Sequence, residues 1–244
     1  MSLESLNLHF KNSIMKLRKT LLLLPIAIAL ATPVAAVQIN WGNEIDSDLR
    51  DSFGNSLDAT FAIQLGYFEK VLGQQFVPTA ANTGEWSSHW KVFDQAAFDP
   101  LAGYFTSSAN LNPEGTSSST FADNDLGVDF SNQNAYVWIH NSQTPGTGTE
   151  WFLGRSATTP AWQIPAKVED CCDNRPPVEW SITDLEPADA PVFGKQGGTS
   201  GAGDYSVTGP YTLQTFSVVP EPSSCLLLTL GGAAVILRRR RPQS

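Results

Sequence analysis

Cys171 and Cys172 are neighbours in the chain. Adjacent Cα atoms lie about 3.8 Å apart, below the usual disulfide span of about 4.4–6.8 Å. The pair therefore reads as a strained vicinal disulfide or two thiols in a loop. Bridging between molecules is the alternative. Zinc has few further ligands to draw on, because only His89 and His140 could join the pair. Asp123-Asn124-Asp125-Leu126-Gly127-Val128-Asp129 offers oxygen ligands for calcium through Asp123, Asp125 and Asp129. The EF-hand order is missing: Gly127 stands at loop position five and Asn134 at position twelve. A solvated acidic loop is the plainer reading, and the same holds for Asp46, Asp48 and Asp51. No cofactor is required, with calcium as the one open option. His89 and His140 could act as bases, but neither has a signature partner, so packing is the default. No Gly-x-Ser-x-Gly, His-Glu-x-x-His or P-loop occurs. A glycosidase needs two carboxylates about 5–10 Å apart, and the sequence singles out no such pair. Of the seven tryptophans, most read as core, while an exposed subset could stack on sugar rings.

The elements that must position these groups read mainly as strands. Ala135-Tyr136-Val137-Trp138-Ile139-His140 and Phe61-Ala62-Ile63-Gln64-Leu65 alternate with period two. Glu150–Leu153, Trp162–Ile164, Trp180–Ile182 and Tyr211–Val219 are further strand candidates. Short helices are predicted at Tyr67–Leu72 and Trp90–Phe98. Gly, Pro, Asn, Ser and Thr clusters separate the runs, as at Thr144–Thr149 and Gly197–Gly203. Many short strands with such turns predict a mainly β chain with a single β-sandwich, jelly-roll-like body.

The two ends read as targeting segments. Lys16, Arg18 and Lys19 precede the eleven-residue apolar run Leu21–Ala31, and Val34-Ala35-Ala36 places cleavage between Ala36 and Val37. Eleven residues of helix span about 16 Å, short of a bilayer core of about 30 Å, so the run reads as a signal peptide. At the other end stands Val219-Pro220-Glu221-Pro222, a stiff extended segment because each proline ring fixes φ. An apolar run follows from Cys225 to Leu237, including Leu226, Leu227, Leu228, Leu230, Val235 and Ile236. It predicts a short membrane helix, with Gly231 and Gly232 permitting close packing. Arg238, Arg239, Arg240 and Arg241 would hold its end in the cytoplasm by the positive-inside rule. Three parts result: a leader and signal peptide at 1–36, a β-rich extracytoplasmic domain at 37–218 and a tail at 219–244.

The whole chain carries a formal charge of −9 and is 16% charged. Eight of its 15 Lys and Arg residues lie in the terminal segments, against two of its 24 Asp and Glu. The body between them holds seven basic and 22 acidic residues, a formal charge of −15. Such a surface rejects phosphate backbones, so nucleic acid is excluded as the main partner.

Pro220-Glu221-Pro222, the apolar run and the arginine cluster together resemble the PEP-CTERM sorting signal of Gram-negative bacteria. The resemblance implies an exosortase as partner, transient contact with the inner membrane, and export to the cell surface, outer membrane or extracellular matrix. It further implies a possible exopolysaccharide or biofilm setting. A plain C-terminal membrane anchor is the alternative reading of the tail. Ile39-Asn40-Trp41-Gly42-Asn43, Trp86, Trp90–Gln95 and Glu150-Trp151 are similar to the body of a group of PEP-CTERM surface proteins to which no chemistry is attached. The leading expectation is a non-enzymatic surface or matrix protein. The alternative is a secreted carbohydrate-active enzyme, or a carbohydrate-binding module, on a β-sandwich.

Overall fold

The computed structural model describes residues 36–45, 47–156, 161–168, 175–182, 185, 191–196 and 213–218. Thirteen strands occur among them: β1 (Val37–Gly42), β2 (Leu49–Arg50), β3 (Ala62–Phe68), β4 (Lys70–Val71), β5 (Gln74–Gln75), β6 (Trp90–Asp99), β7 (Tyr104–Leu111), β8 (Tyr136–His140), β9 (Glu150–Gly154), β10 (Val178–Ser181), β11 (Lys195–Gln196), β12 (Leu213–Gln214) and β13 (Phe216–Ser217). One four-residue helix, α1 (Trp86–His89), precedes β6. The mainly β expectation therefore holds.

Eight strands form one sheet in the order β10-β1-β7-β6-β3-β8-β9-β13. Its pairs are antiparallel except β1 with β10. β11, β12 and β2 make a second, small sheet, and β4 and β5 a hairpin. β6 is shared by both halves of the large sheet: its first part pairs with β3 and its last three residues with β7. Side chains from β1, β3, β6, β8 and β9 meet in one buried cluster with Trp162, Trp180 and Leu213. A sheet whose two halves share one core must curl around it.

Both faces of the central strands are covered. On β3, Ile63, Leu65 and Tyr67 enter the main core. Phe68 faces a second cluster with Phe76, Trp86, Trp90, Tyr136, Trp138 and Trp151. These rings meet mostly edge to face, as Phe68 does on Trp90 at 5.0 Å and Trp138 on Trp151 at 5.0 Å, the geometry favoured by aromatic quadrupoles. Gly66 permits this layer, because a Cβ there would lie 2.2 Å from the Lys91 carbonyl and 2.7 Å from the Trp90 ring.

Two predicted helices are strands instead. Tyr67–Leu72 contains the end of β3 and all of β4, and Trp90–Phe98 lies within β6. In β6 the register shifts: Leu65 pairs with Asp94 and Gly66 with Val92, leaving Phe93 as an extra residue. Such a bulge turns consecutive residues toward one face. Phe93 enters the main core, and Asp94 beside it accepts the Trp41 indole N–H at 2.8 Å from that same side. Alternation is broken there, and the spacing imitates a helix. Trp162–Ile164 forms an isolated bridge from Gln163 to Asn134 rather than a strand. Among the described residues no helix is long and apolar enough to cross a membrane. The predicted membrane segment 225–237 lies outside them.

Candidate functional site

Three places gather polar side chains. The first is the far edge of the large sheet, where the chain approaches its C-terminal tail. Glu150 opens β9 and is only 5% exposed. Its Oε1 accepts the Ser52 hydroxyl at 2.5 Å, and its Oε2 accepts the Ser52 N–H at 2.8 Å and the Thr215 hydroxyl at 2.6 Å. Ser52 follows β2, and Thr215 lies between β12 and β13. One carboxylate thus ties the small sheet to the large one. Donors to an ionised acceptor are stronger than neutral pairs. Beyond Thr215, Phe216 pairs with Trp151 and Ser217 with Glu150, and the Val218 N–H donates to the Thr149 carbonyl at 2.7 Å. Val218 is buried.

The second place is a cleft of about 390 Å³. Gln64, Trp90, Val92 and Gln143 line it with Ser87, Ser88, Lys91, Phe121 and Asp123. Gln64 organises its floor. The amide oxygen accepts the Trp90 indole N–H at 3.0 Å and the Gln143 amide at 3.1 Å, and its nitrogen donates to Gln95 at 2.9 Å. His140 Nε2 lies 3.2 Å from the same oxygen and packs on Trp138 at 4.7 Å. Burial pushes the His140 pKa down to about 4, so the ring is neutral at pH 7. Phe121 is 57% exposed at this cleft. Among the described residues Asp123 is the one carboxylate in the lining, and its Oδ2 accepts the Val92 N–H at 2.8 Å.

The third place is the acidic loop singled out for calcium. Asp129 Oδ2 accepts Lys167 Nζ at 2.6 Å, and its Oδ1 accepts both the N–H and the hydroxyl of Ser131. Burial would raise the Asp129 pKa, but the Lys167 and Ser131 bonds and the lysine charge outweigh it and hold the carboxyl below its ordinary range. Asp125 is exposed, its carbonyl accepting the Val128 N–H. Asp123 faces the cleft instead. Tyr67 lies within the field of these acids: burial first, then Glu69, Asp129 and Asp123, push its pKa up to about 12. Among the described residues no group of three or more His, Cys, Asp and Glu is placed to hold a metal.

The other predicted residues separate from these places. His89 packs on the Phe76 ring at 4.6 Å and lies 3.8 Å from Glu69. All seven tryptophans are buried, the most exposed being Trp180 at 7%. Trp86 stacks on Trp151 at 5.2 Å and Trp162 on Trp180 at 5.8 Å. None offers a free face to a sugar. Ala36 is exposed, and Val37 is buried at the start of β1 opposite Leu111. Cys171, Cys172 and Val219 onward lie outside the described residues. Sequence reasoning missed Glu150 and Gln64. Gln64 stands inside an apolar strand run and Glu150 opens one, but their partners are far away in the chain and no local pattern names them.

No curated protein and no solved structure matches the chain significantly. A family model described as the PEP-CTERM protein-sorting motif matches residues 218–241. That match begins at Val218, the residue after β13, and it spans Pro220-Glu221-Pro222, the apolar run and the arginines. This chain carries a PEP-CTERM protein-sorting motif, the mark of an exported protein processed by an exosortase.

Proposed function

We propose that this is a cell-surface or extracellular-matrix protein whose acidic β body works outside the inner membrane after its tail is cut near Pro220-Glu221-Pro222. The sorting motif at 218–241 carries this reading. The Lys16–Ala36 pattern supports export through a signal peptide removed before Val37. On this reading the apolar run Cys225–Leu237 crosses the inner membrane until processing, with Arg238–Arg241 on the cytoplasmic side. The curled sheet and the small sheet tied to it are the two layers of a sandwich-like body. Replacing Pro220, Glu221 and Pro222 with alanine tests the sorting. The tail should stay attached and the protein should remain in the inner-membrane fraction. Unchanged processing and location would refute the reading.

For the body we propose a structural or binding role, with exopolysaccharide as the extracellular partner, rather than catalysis. The burial of every tryptophan favours a load of aromatic core over stacking on sugars. A glycosidase would need a carboxylate pair, whereas among the described residues the cleft lining carries Asp123 alone. Saccharide binding has one specific observation behind it: the amide-floored cleft with Phe121 exposed beside it. Titration of neutral oligosaccharides into the intact body, with Phe121→Ala for comparison, tests this. Saturable binding weakened about tenfold in the variant would support it, and no binding by the unaltered protein would leave the structural role.

A further inference from the structure

The sorting motif follows the last strand with almost no linker. Val218 is bonded to Thr149 and buried, and Pro220 comes two residues later. Two extended residues reach about 7 Å at most. Upstream, Phe216 and Ser217 pair with Trp151 and Glu150. Thr215 donates its N–H to the Arg50 carbonyl at 2.9 Å and its hydroxyl to Glu150. Every residue from Thr215 to Val218 is therefore held by the body.

A protease holds its substrate as an extended strand through main-chain hydrogen bonds, the same groups that pair strands in a sheet. One N–H cannot serve both partners. A cleft that grips more than about two residues upstream of Pro220 must take Val218 and then Ser217 from the sheet. β13 suits such an exchange. It is two residues long and, among the described residues, lies at the end of the strand order beside β9. Short edge elements with few pairings open at low free energy.

We propose that β13 peels from β9 before the sorting motif is cut, so that the folded body itself sets the rate of processing. The inference rests on exosortase processing as read above. The enzyme acts only on the fraction of molecules with β13 released, and its apparent rate is lowered by that fraction. Glu150 becomes a brake on tail removal through Thr215.

The test uses the full chain expressed with an exosortase in a Gram-negative host, following tail loss by pulse-chase and intact mass. Eight Gly and Ser residues inserted between Val218 and Val219 keep the body's sequence whole and supply free strand beside the motif. They should speed tail loss about tenfold. Thr215→Val keeps the spacing and loosens the strand, and it should speed tail loss several-fold. The same insert between the exposed Leu126 and Gly127 should leave the rate unchanged. If the junction insert has the unaltered rate, the inference is overturned. If the insert accelerates but Thr215→Val does not, clearance from the membrane governs access and strand release is overturned. If the unaltered chain is never cut, the sorting reading falls first and the inference with it.

Discussion

Among the described residues the Glu150 carboxylate accepts from the Ser52 N–H, the Ser52 hydroxyl and the Thr215 hydroxyl, and from no cation. A buried carboxylate persists when its oxygens are filled by donors. Glu150→Gln puts an amide NH2 where a donor already points. Hydrogen bonds to charged groups contribute about 1.5–3 kcal/mol each and are not additive, so the loss should be about 2–3 kcal/mol, read from urea midpoints at constant slope. A change below about 0.5 kcal/mol would contradict the clamp. His140 supplies a pH prediction. Its pKa falls from 6.5 to about 4 on folding because burial disfavours the charged ring. The unfolded chain then binds more protons than the folded one as pH drops. This contribution is complete above about pH 6.5 and is lost progressively toward pH 4. The shift corresponds to about 3 kcal/mol at most. Stability curves between pH 7 and 4 should fall more steeply for the unaltered protein than for His140→Gln. Parallel curves would refute the buried neutral ring.

β8 and β9, buried along their whole length, were legible as short β-forming runs, whereas the half-buried β1 and β7 were not. β8 was readable because Tyr136, Val137, Trp138 and Ile139 are β-formers in a run bounded by turn residues. Tyr67 and Phe68 are adjacent and both buried, one in each cluster, so period two vanishes and the spacing suggests a helix. The Phe93 bulge hid β6 in the same way. Glu150 and Gln64 were out of reach for another reason: their partners lie 98 and 65 residues away for the one, and 26 to 79 for the other. The β4–β5 hairpin was missed as well. Leu72 and Gly73 form its two-residue turn, with φ of 50° and 80°. Two successive positive φ values match the turn that prefers Asn-Gly. A leucine there carries a penalty of about 1 kcal/mol and is 98% exposed, so nothing offsets it. Leu72→Asn should raise stability by about 0.5–1 kcal/mol, seen as a higher urea midpoint. A lowered midpoint would mean that the turn has another geometry.

At the scale of the whole molecule, the charge of −15 between two basic ends separates a body suited to the exterior from segments suited to the membrane. The body's first strand starts at Val37 and its last ends at Ser217. Both proposed cuts therefore fall close to strands, one at Ala36–Val37 and one near Pro220-Glu221-Pro222, a few residues past β13. Raising ionic strength should leave the buried hydrogen bonds around Glu150 and Gln64 little changed, while it screens partly exposed pairs such as Lys167–Asp129. The central claim is that the mature protein is this body freed of both ends. Intact-mass measurement of the protein recovered from outside the inner membrane tests it most directly. The account predicts a chain that begins at Val37 and ends within or beside Pro220-Glu221-Pro222, with any added group borne on that new end. A mass that retains Cys225–Arg241 would contradict it.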